Sequence, residues 1–77
     1  ELSPREFALL ETLARNRGQV LRRDHLMERV WGYEAEPQGN IVDLYVHYLR
    51  RKLDPDGVDA EPVIRTVRGS GYVVPGA

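Results

Sequence analysis

The side chains best suited to chemistry in this sequence are basic, and they fall in two stretches. Residues 39–53 carry three basic side chains against one acidic one, and residues 62–77 carry two against none. The basic residues are Arg50, Arg51, Lys52, Arg65 and Arg68. Guanidinium and ammonium groups donate charge-assisted hydrogen bonds to phosphate oxygens and to base edges. These stretches therefore favour recognition of a nucleic acid.

The net charge of the whole chain is −1 at pH 7, although domains that bind nucleic acids are usually basic. The balancing acids fall outside the basic stretches, mainly in residues 34–36 and 54–61. Charge is thus segregated along the chain, which keeps nucleic-acid binding as the favoured interpretation. An adaptor domain that contacts only proteins is the main alternative, because a balanced charge and acidic loops suit it as well.

Catalysis and metal binding are not favoured by the pattern. The chain has no cysteine, and neither His25 nor His47 has a partner at metal-ligand spacing. Ser3 and Ser70 have structural roles in a cap and a turn, which leaves no nucleophile with a partner base. The Gly69-Ser70-Gly71 segment precedes no helix, so it is not expected to bind phosphate. We expect no enzyme, no cofactor and no metal.

Length and composition predict one small domain over residues 1–77. No apolar run approaches the roughly 20 residues of a membrane span, and the first residues do not resemble a signal peptide. The absence of cysteine is compatible with a reducing compartment. We therefore expect a cytoplasmic domain that has no contact with a membrane.

Caps and apolar spacing predict the first two helices and a short strand. Ser3-Pro4-Arg5-Glu6 is a helix-start signature, which predicts a first helix over residues 4–16. The predicted apolar face of this helix comprises Phe7, Leu10, Leu13 and Ala14. Residues 19–21 suit a single bridging strand, and residues 23–31 suit a second helix. Arg22 stands at the N-cap position of that helix, where its side chain cannot accept hydrogen bonds from the free backbone amides.

A third helix over residues 40–53 shows the clearest apolar periodicity. The predicted core face comprises Val42, Val46, Leu49 and Leu53, with Tyr45 beside it. The predicted exposed face comprises Asn40, Asp43, Leu44, His47, Tyr48 and Arg51, with Arg50 at its border. Asn40 is the expected cap, and Asp54-Pro55 is expected to end the helix.

Residues 63–75 are predicted to form a β-hairpin, with strands over 63–67 and 72–74 and a tight turn between them. Three helices followed by such a hairpin predict an α+β fold, the winged helix-turn-helix. In that fold the later helix enters the major groove of DNA. Arg68 at the hairpin tip could then enter the adjacent minor groove, whose negative potential attracts guanidinium groups.

The sequence resembles the OmpR/PhoB class of response-regulator effector domains in four blocks that cover nearly the whole chain. The blocks are Leu2-Ser3-Pro4-Arg5-Glu6-Phe7 with Leu9-Leu10, Val30-Trp31-Gly32-Tyr33, Val42-Asp43 running to Leu49-Arg50-Arg51-Lys52-Leu53, and Thr66-Val67-Arg68-Gly69-Ser70-Gly71-Tyr72. Each block alone is weak evidence of the resemblance, but the four blocks in this order are specific to the class. The resemblance implies sequence-specific binding of double-stranded promoter DNA and regulation of transcription within a two-component system.

The resemblance also implies a role in DNA binding for particular residues. Phosphates would be contacted by Asn40, His47 and Arg50, and base edges by Asp43 and Tyr48. Arg23 and Trp31 would contact the DNA backbone beside the second helix, and Thr66 and Arg68 would contact DNA through the wing. Arg51 is a further candidate because of its place on the exposed face of the third helix.

Several partners follow from the same resemblance. The loop over residues 32–39 would contact RNA polymerase. A receiver domain phosphorylated on aspartate would control dimerisation on tandem DNA repeats. The short four-stranded sheet that precedes the first helix in this class is absent, apart from Glu1-Leu2, which indicates a truncated chain.

Some assignments keep an alternative. Trp31 is expected mainly to pack, Tyr48 could lie at the core edge with its hydroxyl in water, and His47 could simply be solvated. His47 and Tyr48 also stand where well-known relatives carry arginine, so the base preference does not transfer. Single-stranded RNA binding is disfavoured, because the aromatic side chains are too scattered to form a stacking platform.

Overall fold

The computed structural model describes residues 1–32, 40–54 and 62–76. The elements are helices α1 (Pro4–Arg15), α2 (Arg23–Trp31) and α3 (Ile41–Leu53), and strands β1 (Arg65–Val67) and β2 (Gly71–Val73). The two strands pair antiparallel, with Thr66 opposite Tyr72. The predicted α+β order of three helices and a hairpin is confirmed, although β1 is shorter than predicted and β2 begins and ends one residue earlier than predicted. Most of the predicted loop over 32–39 lies outside the described residues.

Helix α1 begins with the predicted capping box. The Ser3 hydroxyl accepts a hydrogen bond from the Glu6 amide at 3.2 Å, and the Glu6 carboxylate accepts one from the Ser3 amide at 2.7 Å. These reciprocal bonds satisfy two of the amides that a helix start leaves unpaired. The cap thus fixes where the chain enters α1.

The predicted core face of α1 was wrong by about a quarter turn around the helix. The buried residues are Glu6, Leu9 and Leu13, whereas Phe7 is 57% exposed. A pattern of apolar residues alone excludes a carboxylate from the buried stripe. Glu6 can be buried because Lys52 donates a hydrogen bond to its Oε1 atom at 2.6 Å, in addition to the bond from Ser3.

The core joins all three helices to the hairpin. Its buried apolar residues are Leu9, Leu13, Leu21, Leu26, Val42, Val46, Leu49, Ile64 and Tyr72. Leu21 forms an isolated antiparallel bridge with Tyr72, with N–O distances of 2.8 and 3.0 Å. The single bridging strand predicted over residues 19–21 is therefore confirmed at Leu21. This bridge holds β2 against the segment that connects α1 to α2.

Only one face of helix α3 packs into this core. Val42, Val46 and Leu49 are buried, as predicted, but Leu53 at the last turn is 37% exposed. Asn40 stands at the N-cap position, yet its side chain makes no capping hydrogen bond, so that part of the prediction was wrong. Packing of the buried stripe, rather than the cap, positions this helix.

Candidate nucleic-acid interface

The outward face of α3 is the surface opposite its buried stripe. At about 100° per residue, this face carries Asn40, Leu44, His47 and Arg51, with Tyr48 on its flank. All five residues are exposed. The prediction that this face meets solvent or a partner therefore agrees with the structure. We call these five residues the α3 outward face.

A polar network joins the start of α2, the first turn of α3 and strand β2. The Arg23 Nε atom donates to Asp43 Oδ1 at 2.7 Å, and the Tyr72 hydroxyl donates to the same oxygen. The Arg23 guanidinium also lies over the Tyr72 ring, 5.2 Å from its centroid. Asp43 is thus engaged within the molecule and is only half exposed.

The titration behaviour of this network follows from its contacts. Desolvation by itself would raise the pKa of Asp43. The hydrogen bonds from Tyr72 and Arg23 and the charge of Arg23 outweigh this effect, so that the net result is a lowered pKa. The pKa of Arg23 is raised, chiefly by its hydrogen bond to Asp43. The pKa of Tyr72 is raised by desolvation and by the adjacent carboxylate. Asp43 and Arg23 therefore stay charged and Tyr72 stays protonated at neutral pH.

A second set of bonds ties α3 to the hairpin. The Arg50 side chain donates through Nε and Nη2 to the Ile64 carbonyl at 3.1 and 2.9 Å, and through Nη2 to the Thr66 hydroxyl at 2.7 Å. The Arg50 guanidinium lies 5.8 Å from the centroid of the Tyr72 ring. Tyr72 therefore lies between Arg23 and Arg50, and the hairpin is held along one edge of α3.

The opposite edge of α3 carries an aromatic cluster. Trp31 and Tyr45 meet edge to face with centroids 5.1 Å apart, and Tyr45 meets Tyr48 at 5.6 Å. The Arg5 guanidinium lies 5.7 Å from the Trp31 ring centroid, and Arg5 also donates to the Val30 carbonyl. Trp31 is half-buried by these contacts, which matches its expected packing role.

The tip of the hairpin projects its polar residues outward. Arg68, Gly69 and Ser70 are exposed and form the turn between β1 and β2, where the Ser70 amide donates to the Val67 carbonyl at 2.9 Å. Gly69 has a φ angle of 77°, a left-handed conformation that glycine adopts without strain. The hairpin thus presents Arg68 to solvent beside the region where β1 is bonded to α3.

Lys52 does not belong to the outward face. Its ammonium donates to Glu6 Oε1 at 2.6 Å and to the Glu1 carbonyl at 3.0 Å. The hydrogen bond from Lys52, followed by that from the Ser3 amide, outweighs the desolvation of Glu6 and lowers its pKa. Of the three consecutive basic residues that end α3, only Arg51 therefore lies on the outward face.

Sequence comparison identifies the family. The family described as "Transcriptional regulatory protein, C terminal" matches residues 1–74. The chain belongs to this family of OmpR/PhoB-type effector domains. It is a family of transcriptional-regulator domains rather than of enzymes. The resemblance inferred from the four sequence blocks is confirmed.

Individual relatives agree with this membership. The chain is 51% identical over 69 residues to the response regulator ArlR of Staphylococcus haemolyticus. The aligned region covers 90% of this chain and 31% of that protein. It is similar to the DNA-binding domain of CpxR from E. coli, with 43% identity and a TM-score of 0.81 over 100% of this chain and 74% of that one. The chain spans about a third of the length of the curated relatives it matches.

A third relative was solved with DNA. It is the Klebsiella pneumoniae RstA DNA-binding domain in complex with the RstA box, with 36% identity and a TM-score of 0.81. The alignment covers 97% of this chain and 73% of that one.

Within the described ranges of this effector domain, no group of side chains could hold a metal ion, and no helix is long and apolar enough to cross a membrane.

The structure divides the ten predicted site residues of the effector domain into two groups. Exposed residues on the α3 outward face or the hairpin tip are Asn40, His47, Tyr48, Arg51 and Arg68. Residues engaged by other side chains or by the backbone are Arg23, Trp31, Asp43, Arg50 and Thr66. DNA contacts by either group stay predictions, and the engaged group is better placed to orient the exposed one.

Sequence reasoning gave no functional role to Tyr72 or Leu44 of this effector domain. The sequence places Tyr72 only in a strand, because its contacts with Arg23, Asp43 and Arg50 join elements far apart in the chain. The sequence places Leu44 on the exposed face of α3 but indicates no role for it. The available signal was a large apolar residue in the middle of an otherwise polar face.

Proposed function

We propose that this effector domain binds promoter DNA sequence-specifically and thereby regulates transcription, with α3 in the major groove and the hairpin at the minor groove. Family membership and the RstA relative solved with its DNA box support this function. A single helix fits the major groove, where each base pair has a distinct pattern of donors and acceptors. Regulated transcription requires such discrimination between sites.

The observation that carries the proposal is the coupling of α3 to the hairpin. The face of α3 opposite the core is exposed, and Arg50 fastens the neighbouring strand to the helix through Ile64 and Thr66. These bonds hold the hairpin beside the helix, with Arg51 on the helix and Arg68 on the hairpin. Two cationic groups on neighbouring elements suit two adjacent grooves of one duplex.

The exposed and engaged residues would have different roles. We infer that Asn40, His47 and Arg51 contact phosphates or base edges, that Tyr48 contacts bases, and that Arg68 enters the minor groove. Arg23, Trp31, Asp43, Arg50 and Thr66 orient these groups and border the DNA. An arginine that donates two bonds to a carbonyl keeps further N–H groups with which it can reach a phosphate.

Further partners are proposed from the family resemblance. In the full-length regulator, a receiver domain would control dimerisation on tandem DNA repeats, and residues 32–39 would contact RNA polymerase. Within the cell these partners would meet the domain in the cytoplasm. Since an effector domain needs DNA contacts before any of these, DNA binding is the property to test first.

The experiment begins with selection of bound sites from random duplex DNA, followed by affinity measurements on the selected duplex. Arg51→Ala and Arg68→Ala should each weaken binding about tenfold, because one good contact is worth roughly 1–3 kcal/mol. Where a phosphate contact is lost, each variant should also reduce the slope of log affinity against log salt concentration by about one in magnitude. The measurement is a fluorescence anisotropy titration at several salt concentrations.

Arg15→Ala is the matched control for both variants. Arg15 is an exposed arginine of α1 that pairs with Glu11 at 3.4 Å, outside the proposed interface. Its removal should leave affinity unchanged. If the chain selects no duplex, the DNA-binding proposal is wrong and the protein-adaptor interpretation gains. If it selects a duplex that the three variants bind equally well, the proposed placement of Arg51 and Arg68 at the DNA is wrong.

A further inference from the structure

Leu44 lies near the centre of the α3 outward face and is 38% exposed. Going around the helix at about 100° per residue, its position falls between those of Arg51 and Tyr48 and faces directly away from the buried stripe. Asn40 and Tyr48 are one turn away on either side, and side chains at that spacing are neighbours. Leu44 therefore lies at the part of the face that would come nearest to a bound partner.

Tyr48 extends the apolar surface around Leu44. Its side chain is 41% exposed, and its ring is held by Tyr45, with centroids 5.6 Å apart. Tyr45 in turn packs against Trp31. The tyrosine ring is thus braced from the core side, next to Leu44. The two residues form a small apolar surface within a polar and cationic face.

The major groove offers one apolar group to such a surface. Three of the four bases present only donors and acceptors at their groove edges, whereas thymine also presents its 5-methyl group. A leucine side chain can form no hydrogen bond, so it cannot read the other edges. An apolar contact in the groove therefore discriminates in favour of thymine.

We propose that Leu44, with the Tyr48 ring beside it, selects a thymine in the target site by packing against its 5-methyl group. This inference rests on the proposed function, in which α3 enters the major groove. It assigns a specificity-determining role to a residue that makes no polar contact. Arg51, next to Leu44 on the same face, supplies charge but not this preference.

The test replaces each thymine of the selected duplex, one at a time, with deoxyuridine. This change removes the methyl group and leaves base pairing intact. The unaltered protein should lose affinity about three- to fivefold at one or two thymines, which corresponds to one buried methyl-sized group. Leu44→Ala should bind the thymine and deoxyuridine duplexes with equal affinity at those positions. Titrations by fluorescence anisotropy measure both.

Leu53→Ala is the matched control. Leu53 is on the same helix and is 37% exposed, but it lies about half a turn around the helix from Leu44. Its removal should leave the deoxyuridine profile unchanged. Circular dichroism checks that both variants keep their helical content, as expected for residues outside the buried core.

The outcomes distinguish failure of the Leu44 role from failure of the proposed function. Selective binding with a flat deoxyuridine profile would overturn the role of Leu44 and leave the proposed function standing. The same holds if Leu44→Ala keeps the full methyl dependence. If the chain selects no duplex at all, both the proposed function and this inference are wrong.

Discussion

Asp43 illustrates at the scale of one residue how an intramolecular contact changes an assignment. The sequence predicted a base contact, because Asp43 falls toward the exposed side of α3. In the structure its Oδ1 atom accepts hydrogen bonds from Arg23 and Tyr72, which lie 20 and 29 residues away in the chain. No periodicity in a sequence reports such distant pairings. Asp43 is thus positioned to orient α2 and the hairpin, and its contact with a base stays a prediction.

Replacement of Asp43 by asparagine tests this role through stability. Because the folded-state pKa of Asp43 is lowered, its charged form stabilises the fold at neutral pH. That contribution is present above the ordinary aspartate pKa of about 4 and is lost as the pH falls through the lowered value. Asp43→Asn should therefore reduce the free energy of unfolding by about 1 kcal/mol at neutral pH, a modest value because the pair is partly exposed.

The difference between Asp43→Asn and the unaltered chain should begin to shrink as the pH falls below about 4, and it should be lost below the lowered pKa of Asp43, where both carry a neutral side chain. Urea denaturation at neutral and acidic pH measures both values. Glu11→Gln, in the exposed pair with Arg15, is the control and should change stability little. A destabilisation by Asp43→Asn that is the same at every pH would argue against the charged network.

At the scale of elements, the sequence predicted well what depends on local pattern. The capping box of α1, the buried stripe of α3 and the turn of the hairpin each follow from residues close together in the chain. The orientation of α1 did not follow, because Glu6 is buried through Lys52, which is 46 residues away. The exposed end of α3 at Leu53 and the unused cap at Asn40 also depend on tertiary packing.

The docking of the hairpin depends on the absence of a side chain at Gly71. Its φ angle is 146°, and a Cβ atom there would lie 2.0 Å from the Leu21 carbonyl oxygen. Gly71→Ala should therefore break the bridge between Leu21 and Tyr72. We expect a loss of roughly 2–4 kcal/mol in the free energy of unfolding, since both backbone strain and a steric clash are introduced. Thermal unfolding followed by circular dichroism measures this loss.

Gly69→Ala is the comparison for this prediction. Gly69 also has a positive φ angle, but no atom lies within 4 Å of the position where its Cβ would be. It should cost only about 1–2 kcal/mol, the strain of a left-handed conformation. Equal losses for the two variants would mean that the close approach to Leu21 does not hold the hairpin.

At the scale of the whole molecule, the fold divides the basic residues that the sequence grouped together. Lys52 is bonded to the start of α1 and Arg50 to the hairpin, while Arg51 and Arg68 are exposed. The net charge of −1 is therefore a poor guide to the surface that would meet DNA. The family and fold could be predicted from the chain. The division between engaged and exposed cations could not, because long-range contacts decide it.

Methylation interference on the selected duplex tests most directly whether α3 and the hairpin occupy adjacent grooves. Methylation at guanine N7 blocks the major groove, and methylation at adenine N3 blocks the minor groove. We expect the unaltered protein to be sensitive to both, at positions about half a helical turn, or roughly 5 base pairs, apart. Arg68→Ala should lose only the minor-groove sensitivity. Binding that tolerates every minor-groove methylation, or that loses sensitivity in both grooves with Arg68→Ala, would contradict the account.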